Sequence, residues 1–314
     1  MSLYNRASKQ SRMSVIKGVN VAAVTPRRRG AQEIDLGATW ELLDFLCSHK
    51  VDGIVLMGST GEFVNFSIDE RTRLISLAVK RSRVPVWINI SHSTLDGAIE
   101  LAEAASSAGA AGLLLMPPYY FRYSQQDILA FYRGFAAHAD VNIPTLLYHI
   151  PIFNNGISTQ TAAELLRDGL FAGIKDSSGN WENFTELKRI YDTEPFAFMM
   201  GDDCLFARAR KEGIPGGISG VASALPELLV ALDHAVTSSN EERISKLNDR
   251  LMEFIAWLGF FPTPVGVKEA AVIRGIKCKE HAAPLSPEQE IKRQEFRDWF
   301  RAWLPEVQKD CVRG

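Results

Sequence analysis

Short apolar runs alternate along this chain with longer stretches in which apolar residues recur every three or four positions. The runs are Gly18–Thr25, Gly53–Met57, Val86–Asn89, Gly112–Met116, Thr145–Tyr148, Phe171–Lys175, Phe196–Gly201 and Gly216–Ser219. Most are rich in Val, Ile or Leu and lack polar alternation, which is the pattern of parallel strands covered on both faces. Between them, Leu36–His49 places Leu36, Trp40, Leu43 and Leu46 on one helical face. Ser67 followed by Glu70 predicts a capping-box start for a helix carrying Leu74, Leu77 and Ala78. Ser93, Ser124 and Ser158 are placed as N-caps of Leu95–Ala108, Ile128–His138 and Thr161–Leu166.

A strand–helix unit repeating roughly every 20–35 residues, about eight times, predicts a (β/α)₈ barrel. A doubly wound sheet is the competing arrangement. Beyond about residue 226 the pattern is helical only, over Pro226–Thr237, Glu241–Leu258, Val267–Arg274 and Glu288–Leu304, with breaks at Phe261–Pro264 and Ala283–Pro287. The expected organisation is a polar tail over 1–14, a barrel over 15–238 and a C-terminal helical region over 239–314.

Composition narrows the function classes. The formal net charge of −2 gives no global field for nucleic acid or an anionic membrane. Basic residues at Arg6, Lys9, Arg12 and Lys17, and at Arg27–Arg29, read as solvated surface. No apolar run has the roughly 18 residues of a membrane span, and the N-terminus lacks the apolar core of a signal peptide. The cysteines Cys47, Cys204, Cys278 and Cys311 are widely spaced and have no His at ligand spacing, so neither a metal site nor a disulfide framework is expected. A reducing, cytoplasmic setting follows.

In such a barrel the chemistry belongs at the C-terminal ends of the strands. Lys175 closes the sixth run; loss of water at such a place disfavours the charged form of an amine and favours the nucleophilic one. A structural salt bridge to Asp176 or Asp202 is the bland alternative. Tyr148 closes the fifth run, where a phenol either moves a substrate proton or serves as a core aromatic. Gly58-Ser59-Thr60-Gly61-Glu62 follows the second run, as a carboxylate-binding loop or simply a turn. Asp202 and Asp203 follow the seventh run, paired to bind sugar hydroxyls or an amine, or, for Asp202, to cap the short helix from Leu205. Gly216–Gly220 surrounds the eighth.

Taken together, the chain resembles the dihydrodipicolinate synthase/N-acetylneuraminate lyase family from about Gly18 to Gly275. The resemblance rests on Ala-Val-Thr-Pro (23–26), Gly-Ser-Thr-Gly-Glu (58–62), Pro-Pro-Tyr-Tyr (117–120), Leu-Tyr-His-Ile-Pro (147–151), Gly-Ile-Lys-Asp-Ser-Ser-Gly (173–179), Gly-Asp-Asp (201–203) and Gly-Gly-Ile-Ser (216–219). It implies that Lys175 is the Schiff-base lysine, Tyr148 the general acid/base, and Ser59 and Thr60 the holders of a pyruvyl carboxylate. It further implies that Ser59 links Tyr148 to Tyr120 of an adjacent subunit, within a homotetramer built as a dimer of dimers.

The departures concern the other half of the substrate. His149 stands where the family usually has Asn, and strand alternation turns it away from Tyr148. The synthase branch has an Arg shortly after Pro151 that binds a distal carboxylate; here Ile152–Gly156 holds no cation. Cys204 and Gly220 replace an acidic residue and a Ser that help the sialic-acid branch bind its sugar chain. The expected function is thus a Schiff-base aldolase using pyruvate and an aldehyde, acting on a 2-keto-3-deoxy sugar acid or a hydroxy-oxo acid. Ser177, Asp203, Ile218, Phe153 and Asn154 are the candidates for reading the rest of the substrate. No metal or cofactor is expected, because the iminium itself is the electrophile. The alternatives are a dihydrodipicolinate synthase-type condensation, a keto-deoxy acid dehydratase, or a non-catalytic keto-acid-binding barrel.

Overall fold

A computed structural model of the chain describes residues 16–30 and 32–312. The tail expected over 1–14, with Arg6, Lys9 and Arg12, lies outside the described residues. Eight strands, β1 (Gly18–Ala22), β2 (Gly53–Leu56), β3 (Val86–Asn89), β4 (Gly112–Leu115), β5 (Thr145–His149), β6 (Gly173–Asp176), β7 (Ala197–Met200) and β8 (Gly216–Ser219), close into a barrel in sequence order. Every neighbouring pair is parallel, and β8 returns to β1 with Gly18 opposite Gly216. The doubly wound alternative is therefore excluded. β1 ends at Ala22, three residues short of the expected Thr25; Ala23 still donates to the Val55 carbonyl, but the Val24 N–H goes to Ser223 Oγ at 3.0 Å and so leaves the sheet ladder.

The helices α1 (Leu36–Ser48), α2 (Ile68–Arg81), α3 (Leu95–Ala108), α4 (Gln125–His138), α5 (Thr159–Arg167), α6 (Trp181–Thr193), the short α7 (Phe206–Lys211) and α8 (Pro226–Thr237) surround the sheet. Ser124 and Ser158 cap α4 and α5 as expected, and Ser124 forms a full capping box with Asp127. Ser67 caps α2, but the Glu70 carboxylate accepts from Ile34 N–H at 2.8 Å and from Arg73 rather than returning to Ser67. An otherwise unpaired N–H on the preceding loop wins that carboxylate. The cap of α3 is Thr94, one residue beyond the expected Ser93. α6, capped by Asn180, has no counterpart among the helices named from sequence, although Phe184, Leu187 and Tyr191 do form its buried stripe.

The C-terminal helices α9 (Glu241–Leu258), α10 (Val265–Ile273) and α11 (Pro287–Val312) follow. α11 runs through Pro305 and past the expected stop at Leu304. Proline there removes one intrahelical bond, to Arg301 on an exposed face, while buried Val307 and Asp310 hold the next turn. Asp310 accepts from Arg250 at 3.0 Å and pairs with Lys246 at 2.6 Å. Phe254, Phe296, Phe300 and Trp303 form the aromatic core between α9 and α11.

Candidate active site

The functional side chains converge at the C-terminal mouth of the barrel because strand register sets them there. Tyr148 and Lys175 are partners across β5 and β6, so their side chains leave the sheet on the same face at the same height. Lys175 is 3% exposed, and its Nζ lies 4.2 Å from the centroid of the Tyr148 ring. Tyr148 Oη and Ser59 Oγ are hydrogen bonded at 3.2 Å. No carboxylate pairs with the Lys175 ammonium within salt-bridge distance among the described residues. The salt-bridge alternative thus has no geometric support, since Asp176 is engaged with Ser178 N–H and Asn183, and Asp202 caps the turn at Leu205.

These groups face a cavity of about 270 Å³. Ser59, Thr60, Phe153, Ser177, Asp203 and Ile218 line it together with Lys175 and Tyr148. Its roof comes from the C-terminal helices, through Ile255, Leu258 and the Phe261–Pro264 segment. Sequence reading placed that segment only as a helix break. A second cavity of about 470 Å³ adjoins the first, sharing Ser59, Phe153 and Pro262–Pro264.

Two lining residues carry unusual polar groups. The Ser177 hydroxyl is buried without a hydrogen-bond partner among the described residues, a state that normally costs free energy and leaves the group available to a ligand. A Cβ at Gly201 would lie 2.0 Å from that hydroxyl and 2.7 Å from Lys175 Cε, so glycine is what lets β7 pass this close to the lysine. Asp203 accepts from Val221 N–H at 3.2 Å. Desolvation pushes its carboxyl up to about 6, and Asp202 adds to the rise, while bonds from Ser219 and Val221 and the charge of Lys175 oppose it.

Two expected site residues lie elsewhere. Tyr120 is 89% exposed, at positive φ, stacked edge-to-face with Phe121 on the loop after β4. Asn154 is outside the cavity lining; its amide reaches Met116 Sδ at 3.0 Å and its carbonyl accepts from Gly156 N–H. His149 points away from Tyr148, as alternation requires, and its Nδ1 accepts from Ile157 N–H at 2.9 Å. Burial lowers its pKa against the opposing charge of Asp176, so it is a neutral structural group.

The hydroxyl loop itself is held by residues that sequence reasoning did not single out. Asn89 donates to the Met57 carbonyl at 2.6 Å, Thr25 to the Gly61 carbonyl at 2.7 Å, and Lys268 to the Glu62 carboxylate at 2.6 Å. Thr25 lies within a motif already noted, whereas Lys268 is 206 positions from its partner and no local pattern points to it.

Comparison with known proteins agrees with this geometry. A family model described as Dihydrodipicolinate synthetase family matches residues 15–302. The 4-hydroxy-tetrahydrodipicolinate synthase of Syntrophus aciditrophicus (strain SB) is 30% identical over 286 residues, covering 90% of this chain and 97% of that protein. The solved 4-hydroxy-tetrahydrodipicolinate synthase of Methylacidiphilum fumariolicum SolV superposes with a TM-score of 0.85 at 27% identity, covering 94% of this chain and 99% of the other. A 2-keto 3-deoxygluconate aldolase from Picrophilus torridus does so with a TM-score of 0.78 at 28% identity, covering 84% and 96%. The chain therefore belongs to the dihydrodipicolinate synthetase family of pyruvate-dependent carbon–carbon lyases.

Proposed function

We propose that this protein is a class I aldolase in which Lys175 forms the Schiff base with pyruvate, and that its second substrate is an aldehyde without a distal carboxylate. The observation that carries the reading is the buried Lys175 amine over Tyr148, with Ser59 bonded to the Tyr148 hydroxyl. In the cleavage direction, Lys175 Nζ attacks the 2-keto carbon and water leaves, giving a protonated imine. Tyr148, as the phenolate left once it has protonated the departing hydroxyl, takes the proton of the C4 hydroxyl, and the C3–C4 bond breaks to release the aldehyde. The electron pair moves into the enamine, which is protonated at C3 and hydrolysed to pyruvate and free lysine. Ser59 and Thr60 hold the pyruvyl carboxylate on the loop after β2.

Lys175 is the only cationic side chain among the described residues lining the cavity. A neutral, hydroxylated acceptor suits this wall: Ser177 Oγ and the Asp203 carboxylate face it, whereas a distal carboxylate would lose a charge-assisted contact worth roughly 1.5–3 kcal/mol. This supports a 2-keto-3-deoxy sugar acid or hydroxy-oxo acid as substrate. The names of the relatives favour a second reading, a dihydrodipicolinate synthase-type condensation with a carboxylate-bearing aldehyde. Pyruvate release from a panel of 2-keto-3-deoxy acids, against condensation with such an aldehyde, separates the two.

The exposed Tyr120 supports the further reading that it completes the site of a second copy, within a homotetramer built as a dimer of dimers. Its four free cysteines suit a reducing, cytoplasmic setting. Borohydride reduction with pyruvate tests the core of the proposal. The expected outcome is a pyruvate-dependent mass increase on Lys175, absent from a Lys175→Ala variant that keeps its fold; no adduct in the parent protein would sink the aldolase reading.

A further inference from the structure

The loop that carries Ser59 and Thr60 is bracketed by two non-glycine residues in the left-handed region, Met57 at φ 58° and Glu62 at φ 55°. L side chains seldom adopt that conformation, and it persists only where the surroundings hold it. Of the three side chains that hold the ends of the loop, two make neutral hydrogen bonds from the barrel, Asn89 and Thr25. The third is ionic and comes from outside the barrel. Lys268 on α10 is fully buried, and its Nζ donates to the Glu62 carboxylate at 2.6 Å and to the Glu280 carbonyl at 2.8 Å.

One ammonium thus ties together three separate segments. The first is the hydroxyl loop. The second is the start of α10, where Gly266, Val267 and the N-cap Pro264 line the Lys175 cavity. The third runs on from Glu280 to His281 and Pro284, which line the adjoining cavity. A buried ion pair is a poor source of stability, because desolvation of both charges offsets their attraction and an apolar pair of similar volume often does as well. What the pair does supply is a single distance and direction between the loop and the roof.

We propose that Lys268 is a positioning residue for pyruvate binding, setting through Glu62 the geometry in which Ser59 and Thr60 receive the carboxylate. The inference rests on the Schiff-base reading of this site. The role belongs to ground-state binding, since the Lys268 ammonium is spent on the Glu62 carboxylate and the Glu280 carbonyl and is outside the lining of the Lys175 cavity. The pair sits where a change in the roof is passed to the cradle, so its loss should loosen pyruvate binding without abolishing the chemistry.

The test compares the parent with Lys268→Met and with the double variant Glu62→Gln/Lys268→Met, which leaves no unpaired charge behind. Borohydride trapping on Lys175 is measured against pyruvate concentration, alongside thermal unfolding. The expected result is a double variant that melts near the parent but needs about tenfold more pyruvate or above for half-maximal trapping, while its maximal trapping rate falls less than about threefold. Half-saturation equal to the parent's overturns the proposal, whatever the melting temperature, because the pair is then only a structural contact. A double variant that cannot fold overturns it as well, since the pair would serve the fold rather than the cradle. Absence of an adduct in the parent is a separate failure, that of the Schiff-base reading itself.

Discussion

At the scale of single residues, the site is built by strand register and then tuned by burial. Asp203 shows the tuning most clearly. Its carboxyl titrates at about 6 in the folded protein, against an ordinary value of 3.8. Between those values the folded state holds more proton than the unfolded chain, so this group's contribution to stability falls as pH rises from about 4 to about 6 and then levels off. Asn at the same position stays neutral throughout. The stability of Asp203→Asn relative to the parent should therefore rise by about 1–3 kcal/mol across that window, less than the full shift implies because the cavity admits water. Denaturant unfolding of both proteins at pH 4.5 and pH 7 measures the difference; a constant difference would remove desolvation as the cause. Lys175, Tyr148, Ser59 and Thr60 were legible in the sequence because each closes an apolar run or stands in the short loop after one. Lys268 was not, because an ion pair between a loop and a helix 206 positions apart leaves no local pattern.

At the scale of elements, position in the barrel decides what a residue tolerates, and two glycines make opposite predictions. Gly173 opens β6, the strand that carries Lys175, and a Cβ there would lie 1.9 Å from the Ala197 carbonyl of β7. Gly173→Ala must push β6 and β7 apart, and overpacking of this kind typically costs about 1–3 kcal/mol. It should lower the melting temperature and slow Schiff-base formation together. Gly134 lies inside α4, where the nearest contact for a Cβ is the Leu95 Cδ2 at 3.4 Å. Gly134→Ala should stabilise by about 0.5–1 kcal/mol with trapping unchanged, since alanine removes helix-interior glycine entropy. Thermal melts and trapping rates on the two variants check both signs. The strands were legible to within a few residues because double-sided burial writes continuous apolar runs. Helix limits were less so: Pro305 signals a stop locally, yet Asp310 with Arg250 and Lys246 carries α11 past it.

At the scale of the whole molecule, the barrel supplies Lys175, Tyr148 and the hydroxyl loop and the C-terminal helices supply the roof, but one proposed participant is missing from the chain's own cavity. Tyr120 stands 89% exposed on the loop after β4, beside Phe121 at 66%. Two large aromatics exposed side by side on one loop are poorly placed for a monomer and well placed to enter a neighbour. The sequence offered no contact for Tyr120 beyond the family resemblance, because a residue that acts in another copy leaves no trace in its own chain's periodicity. If it completes the neighbour's site, inactivity should be shared between subunits in a calculable way. Tyr120→Ala and Lys175→Ala chains should each be inactive alone, the first for want of the phenol and the second for want of the amine. Unfolded together and refolded, they form a mixed pair in which one site has Lys175 from one chain and Tyr120 from the other, while the opposite site lacks both. Random pairing makes half of the dimers mixed, so roughly a quarter of the parental activity per site should return. The refolded mixture assayed beside each variant alone and the refolded parent supplies that number. Recovery near zero, with mixed dimers demonstrated by mass, would confine Tyr120 to its own subunit and leave Ser59 as the last member of the chain running from Tyr148.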